Sequence, residues 1–464
     1  MQFDIKNIGT ISAPIFFILI LISPLEIEYG AKIVLATTIW MIIWWVTEAI
    51  SIYVTAMLPI ILLPSFGVIP ISEVVVSYSD KIIFLLLGGF IIASAIERTN
   101  LHERFALNMI RVFGYKPRRI LAGLMITAGL LSAWINNTST TLMMIPITAS
   151  IIPYINHEER KRIGSIFMLS IAYASSIGGV ATLIGTPPNA IFVSLAKSLL
   201  DRDIGFAEWM VVGMPLSLIS LAITWLYMSR YIKSKMSILD DIEIINKRLR
   251  ELGPMNTNEK IVFYLFIGVV VAWITRSILW SKYIPMIDDS VIALLAAIIL
   301  FAIPSKKRII DWSISSSIPW GVLLLIGGGL TLASSFTITG LDKWITSKLL
   351  FMIPSSILLV PIITTFTIFM GEIMSNTAMA ALLIPIGANI STSFGVDAIV
   401  IMFIIALASS YSFMLPMSTP PNSIIFGSGY VTVREMTRIG FMINIFGIII
   451  ITLIGTFLIP IIVS

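Results

Sequence analysis

The chain has 464 residues, 57% of them hydrophobic and 12% charged, with 30 Lys and Arg against 25 Asp and Glu. Its mean hydropathy is +0.99. Soluble domains carry roughly 25% charged residues, and a water-soluble core cannot absorb this much apolar sequence without exposing large patches, so the chain reads as a polytopic membrane protein. The lack of cysteine excludes disulfides, thiol nucleophiles and thiolate metal sites, and two distant histidines (His102 and His157) do not make a histidine-rich metal site.

In chain order, long apolar runs lie near 9–25, 31–48, 51–65, 81–96, 164–184, 208–229, 259–279, 289–304, 317–337, 397–417 and 437–463. A spanning helix needs about 20 apolar residues, fewer when it is buried among others. Two further apolar regions, 118–156 and 355–390, are broken in the middle by polar residues. The expected fold is therefore an all-α membrane protein with about 11 transmembrane helices and two re-entrant helical hairpins. The first run lacks a basic leader and a small-residue cleavage site, so it is expected to be a span rather than a removable signal peptide. The stretch 100–115 is amphipathic and basic and reads as an interfacial helix.

With residue 1 placed inside, 22 of the 30 basic residues fall on inner segments and 8 on outer ones. This is the positive-inside pattern, and it predicts a cytoplasmic N-terminus and an outer C-terminus in the cell (inner or plasma) membrane. The inner set includes Lys233 and Lys235 in the polar loop 230–260, and Lys306 and Lys307. Basic charge in that position faces anionic lipid and does not call for a nucleic-acid partner.

The sequence repeats itself. "LLLGGF" at 85–90 recurs as "LIGGGL" at 325–330, "INNTSTTLMMIPI" at 135–147 as "MSNTAMAALLIPI" at 374–386, and "IGTPPNAIF" at 184–192 as "MSTPPNSII" at 417–425. Gly88 thus maps to Gly328, Asn137 to Asn376, Pro146 to Pro385 and Asn189 to Asn422. Three blocks in one order indicate a duplication. An odd number of spans separates equivalent points, so the halves are expected to be inverted, the usual construction of secondary transporters.

Each repeat carries two polar breaks. Asn137-Thr138 and Asn376-Thr377 interrupt the hairpins, and Pro187-Pro188 and Pro420-Pro421 interrupt apolar spans. A Pro-Pro pair removes two backbone N–H groups and clashes with the preceding turn, so it forces unwound backbone at membrane depth. Such backbone must be buried in protein or line a watery cavity. Its free carbonyls suit a cation, and the half-helix N-termini suit an anion. A lone Asn-Thr is ordinarily helix–helix glue and a lone Pro-Pro ordinarily a kink; their paired, symmetric placement argues for a site. No Lys or Arg lies near the breaks, so an anion there depends on helix dipoles, neutral hydrogen bonds and co-bound cations. Glu48 reads as an interfacial acid at a helix end. Glu372, four residues before Asn376, reads either as a brace for hairpin backbone or as a proton-sensitive element.

The motifs "WWVTEAI" at 44–50, "INNT" at 135–138, "GTPPNA" at 185–190, "SNT" at 375–377 and "STPPNSIIFGSG" at 418–429 resemble those of the divalent anion:sodium symporters, the DASS family of INDY-type dicarboxylate transporters. The resemblance runs from about residue 30 to the end. It implies a homodimer with an elevator mechanism, sodium as coupling ion, no cofactor and no enzymatic activity. It implies a first sodium site at Ser132, Asn137 and Gly185, and a second at Gly371, Met374, Asn376 and Ser418, partly through backbone carbonyls. It further implies dicarboxylate contacts from Asn136, Asn137, Thr138, Thr186, Ser375, Asn376, Thr377, Thr419 and Pro420. Its domains would be 1–117 (mainly scaffold), 118–200 (transport: first hairpin and broken helix), 201–354 (span 6, cytoplasmic loop and scaffold spans) and 355–464 (transport: second hairpin, broken helix and last span). The pattern departs at Asn136, where NNT replaces SNT and a hydroxyl becomes a larger amide; Gly371 and Met374 are also unusual before the second SNT.

The expected function is sodium-coupled import of four-carbon dicarboxylates such as succinate, malate or fumarate. A sodium-independent exchanger and a citrate- or sulfate-type symporter are alternatives on the same fold. An intramembrane hydrolase needs a paired Asp, a Ser-His set or a His-Glu-His metal motif, none of which occurs here. A channel fits duplicated broken hairpins less well than alternating access does.

Overall fold

The computed structural model describes residues 5–114, 116–155, 157–232, 243–304, 308–349 and 356–463. Lys233, Lys235, Lys306 and Lys307, and residue 355 of the second interrupted region, lie outside the described residues. The regular structure among the described residues is helical. Seventeen helices matter here: α1 (Ile5–Ile22), α2 (Tyr29–Thr47), α3 (Lys81–Arg98), α4 (Leu101–Phe113), α5 (Pro117–Ser132), α6 (Asn137–Ile151), α7 (His157–Gly179), α8 (Pro187–Leu200), α9 (Phe206–Ser229), α10 (Thr257–Thr275), α11 (Asp289–Ala302), α12 (Trp320–Thr339), α13 (Ser356–Met370), α14 (Asn376–Ser393), α15 (Ala398–Ala408), α16 (Pro420–Gly427) and α17 (Val433–Leu453).

Among the described residues, seven helices are long and apolar enough to cross a membrane, and they coincide with expected runs 1, 2, 4, 6, 7, 9 and 11. The runs at 51–65, 289–304 and 397–417 fall on shorter apolar helices. The first of these is two pieces, Ile52–Thr55 and Leu58–Ser65. The run at 164–184 falls on α7, whose first turn is charged.

Local chemistry explains the helix starts. Asp80 caps α3 by accepting from the Ile82 N–H at 2.9 Å. Thr432 and Glu435 form a capping box on α17. Pro187 and Pro420 stand at the first position of α8 and α16, where a missing N–H costs nothing. Glu48 forms no ion pair among the described residues. It ends α2 in the left-handed conformation (φ 46°), with its N–H on the Trp44 carbonyl.

All of α15 is buried, as is α7 from Ile163 onward. By contrast α1, α10 and α11 carry largely apolar exposed faces, for example Ile11, Ile18, Val271, Leu295 and Ile298. Such faces suit lipid, which asks for no polar cover. In the core, Phe192 of α8, Trp209 of α9 and Phe403 of α15 stack together; the Trp209 and Phe403 centroids are 4.7 Å apart. The Trp209 indole also donates to the Val180 carbonyl at 2.9 Å, which ties this cluster to the loop before α8. The glycine pairs of the repeat serve close packing. A Cβ on Gly88 would lie 2.6 Å from Ala293, and one on Gly328 would lie 2.3 Å from the Ala56 carbonyl oxygen.

The amphipathic stretch expected at 100–115 contains α4, which buries Ala106, Leu107 and Ile110; residue 115 lies outside the described residues. Arg104 clamps it to the start of α10, with 2.7 Å to Glu259 and 2.7 Å to the Gly253 carbonyl. The second repeat has a matching short helix, Leu341–Leu349, after α12.

Candidate functional site

The first tip is residues 133–136 between α5 and α6. Asn136 caps α6: its Oδ1 accepts from the Ser139 N–H at 2.8 Å. Its Nδ2 has no hydrogen-bond partner among the described residues. The Asn137 amide faces oxygens on three sides. Turned so that Nδ2 points inward, it reaches Ser132 Oγ at 2.6 Å, the Ser175 carbonyl at 3.2 Å and the Gly185 carbonyl at 3.3 Å. Turned the other way, only Ser132 Oγ can donate to it. We favour the inward amide, since three acceptors need a donor. A sodium ion among those oxygens would supply the positive charge instead, and Oδ1 would then turn inward. Ser132, Asn137 and Gly185 are thus brought together as expected, and Ser175 joins them through its carbonyl.

The other half of this cluster is the loop 180–186 between α7 and α8. Its shape is held by Asn189, whose Nδ2 donates to the Gly179 carbonyl at 3.0 Å and the Thr182 carbonyl at 2.7 Å. Thr182 Oγ1 in turn donates to the Ala133 carbonyl at the tip. Thr186 is buried at the start of α8.

The second repeat is built alike. Residues 371–375 form the tip between α13 and α14, and 409–419 is the loop between α15 and α16. Asn422 Nδ2 donates to the Ser412 carbonyl at 3.2 Å and the Leu415 carbonyl at 3.1 Å, and also to Ser418 Oγ at 2.9 Å. Gly179, Thr182 and Asn189 map onto Ser412, Leu415 and Asn422 at the one offset of 233, which also relates Gly185 to Ser418 and Thr186 to Thr419. Thr419 caps α16 by accepting from the Asn422 N–H. Asn376 Oδ1 is buried without a partner among the described residues. The carbonyls of Gly371, Met374 and Ser418 accept no backbone N–H there either. Unpaired acceptors in a buried place suit a cation.

Glu372 is a finding of its own. Its carboxylate accepts from the N–H groups of Phe413 (2.8 Å), Met414 (3.1 Å) and Leu415 (3.0 Å) and from Asn444 Nδ2 (2.7 Å). It therefore braces the loop of the broken helix, and not hairpin backbone as one sequence reading had it. The equivalent position in the first repeat is Ala133.

The two repeats interlock: α16 packs on α6, and α8 packs on α14. The four helices that begin at the breaks, α6, α8, α14 and α16, are thus packed in pairs across the repeats. Asn136, Asn137, Thr138, Ser375, Asn376 and Thr377 are half-buried there, Thr186 and Thr419 are buried, and Pro420 is exposed. No Lys or Arg occurs at 120–159, 163–196 or 349–433. Among the described residues no group of three His, Asp or Glu side chains could hold a metal ion. These elements offer neutral oxygens and amides to cations and helix dipoles to an anion.

Residues 6–464 match the family described as the sodium:sulfate symporter transmembrane region. The chain belongs to this family. It is 40% identical over 475 residues, 98% of this chain and 91% of the relative, to the sodium-dependent dicarboxylate transporter SdcS of Staphylococcus saprophyticus. It is also 40% identical over 476 residues to the protein of that name in Staphylococcus aureus, with the same coverage of 98% and 91%. These matches bear out the resemblance to DASS dicarboxylate transporters. Among solved structures it is similar to the YdaH transporter of Alcanivorax borkumensis, with TM-score 0.59 and 11% identity over 83% of this chain and 87% of that one. MtrF of Neisseria gonorrhoeae gives TM-score 0.58 and 13% identity over 83% and 82%. At these identities the two structures speak for the fold alone.

In the sequence Asn189 and Asn422 mark the repeat, and only the structure gives them the task of clamping a loop. Their recurrence directly after each Pro-Pro pair was the available signal.

Proposed function

We propose that the protein imports four-carbon dicarboxylates, such as succinate, malate or fumarate, together with sodium. The observation that carries this is the oxygen cluster of the first tip and the unpaired buried oxygens of the second, in chain segments that contain no Lys or Arg. A dianion brought into neutral surroundings is opposed by a large desolvation cost, which co-bound cations offset. The names of the curated relatives support the same reading.

Ser132, Asn137 and Gly185 would hold one sodium ion, and Gly371, Met374, Asn376 and Ser418 a second. The substrate carboxylates would meet Asn136, Asn137, Thr138 and Thr186 on one side and Ser375, Asn376, Thr377, Thr419 and Pro420 on the other. We read 118–200 (α5–α8) and 355–464 (α13–α17) as the transport part, with span 6 (α9) leading from it to the scaffold spans. The remaining helices in 1–117 and 201–354 form its scaffold, and the transport part moves as an elevator within a homodimer. The basic-residue distribution supports a multi-pass protein of the cell membrane with its N-terminus in the cytoplasm.

The test is uptake of labelled succinate into proteoliposomes. Sodium should raise succinate affinity, and succinate should raise sodium affinity by the same factor. Equal binding in sodium and choline buffers would remove the mechanism. Uptake driven only by internal dicarboxylate would identify an exchanger instead.

A further inference from the structure

Among the differences between the two tips is one pair of facing positions. In the first repeat the hairpin side carries Ser132 and the loop side carries Gly179. Ser132 Oγ lies 2.6 Å from the inward atom of the Asn137 amide, and a Cβ on Gly179 would come 2.4 Å from that same atom. Only one side chain fits between tip and loop. In the second repeat the equivalent positions are Gly371 on the hairpin and Ser412 on the loop, so serine and glycine have changed sides. Ser412 Oγ lies 2.2 Å from where a Cβ on Gly371 would stand. It fills the place that a serine side chain takes in the first repeat.

That hydroxyl is fully buried and has no hydrogen-bond partner among the described residues. Asn376 Oδ1, buried in the same tip, has none either. A buried hydroxyl ordinarily finds an acceptor, yet the neighbouring carbonyl of Ser412 itself is taken by Asn422 and Ser418. Two orphaned oxygens, one against Gly371 and linked through the Ser412 carbonyl to Ser418, the other in the same tip as Met374, stand among residues whose own carbonyls accept no backbone N–H, and together they ask for a positive charge.

We propose that Ser412 is a ligand of the second sodium site, supplying from the broken-helix loop the hydroxyl that Ser132 supplies from the hairpin in the first. The second site is then a side-chain and carbonyl site, and Gly371 is glycine because Ser412 occupies its space. This rests on the reading of sodium coupling above.

The test uses the full-length protein in proteoliposomes, with succinate uptake measured against sodium concentration at saturating succinate. Thermal unfolding in detergent, with and without sodium, gives a second readout. Ser412→Ala keeps the Cβ and removes the hydroxyl. It should raise the sodium concentration for half-maximal uptake by about 2- to 13-fold, the size of one neutral polar contact, and shrink the sodium-induced rise in Tm. The swap Gly371→Ser/Ser412→Gly returns the hydroxyl to the hairpin side. Gly371 does not have a positive φ, and with Ser412 removed its nearest neighbours are the flexible end of Met379 at 3.1 Å and the Ile368 carbonyl at 3.3 Å. The swap should bring sodium dependence back to within about twofold of wild type.

A sodium-dependent wild type with an indistinguishable Ser412→Ala variant overturns the assignment of Ser412 alone. A wild type without sodium dependence overturns the functional reading itself. If Ser412→Ala does not fold, the swap decides: near-wild-type sodium dependence supports the ligand role, and a folded swap with its sodium response lost overturns it.

Discussion

Glu372→Gln changes one atom at the most heavily hydrogen-bonded side chain of the site. The carboxylate takes five contacts from four donors: Oε1 accepts from Phe413, Met414 and Asn444, and Oε2 from Met414 and Leu415. A glutamine can keep the Oε1 contacts, but its NH2 then faces the Leu415 N–H. Two buried donors are left opposed, at about 1–3 kcal/mol each, so about 2–6 kcal/mol in all. That is a large share of the ~5–15 kcal/mol by which proteins are ordinarily stable. The strain falls on 413–415, the segment whose Leu415 carbonyl anchors Asn422 and which leads to Ser418. The expected result is a lower Tm together with a higher sodium requirement for uptake. Asn444→Ala removes a single charge-assisted bond, about 1.5–3 kcal/mol, and should fall between wild type and Glu372→Gln. Thermal unfolding and sodium titration of succinate uptake measure both effects. A Glu372→Gln protein with wild-type Tm and wild-type sodium half-saturation would refute the bracing role.

Asn137→Ala and Asn376→Ala should each abolish sodium-driven uptake in folded protein, because each removes an amide at the centre of an oxygen cluster; wild-type rates in purified variants would place the site elsewhere. Asn136→Ser should leave Tm nearly unchanged, since serine caps a helix about as well as asparagine. It should alter selectivity among C4, C5 and C6 acids by about 2- to 13-fold through loss of the free Nδ2; an unchanged order in competition against labelled succinate would mean that Nδ2 faces away from substrate. Gly178→Ala should cost about 1–3 kcal/mol or more, because its Cβ would meet the Gly129 carbonyl oxygen at 2.2 Å and push α7 off α5. A wild-type Tm for that variant would show that the two helices are not held at this distance.

Much of this protein was legible without coordinates. Membrane residence follows from composition, because burying or exposing apolar residues is a bulk property. The duplication, the two Asn-Thr tips and the two Pro-Pro breaks are local words in the sequence. Their effect on backbone is local too, since proline cannot donate and cannot sit inside a helix without a clash. That is why α8 and α16 begin at Pro187 and Pro420; α6 begins at Asn137 behind its cap Asn136, and α14 at the matching Asn376.

The tertiary structure decided whatever depends on which distant residues meet. Asn189 and Asn422 clamp loops, and Glu372 holds three N–H groups about forty residues further along the chain, though nothing near it in sequence names that partner. The length of the second break, 409–419, exceeded what its prolines alone required, because the loop's N–H groups are satisfied by Glu372 instead of by helix. The exchange of serine and glycine between hairpin and loop was written in the chain at 132, 179, 371 and 412. It acquired meaning only when those positions faced each other, because two side chains cannot share the space of one.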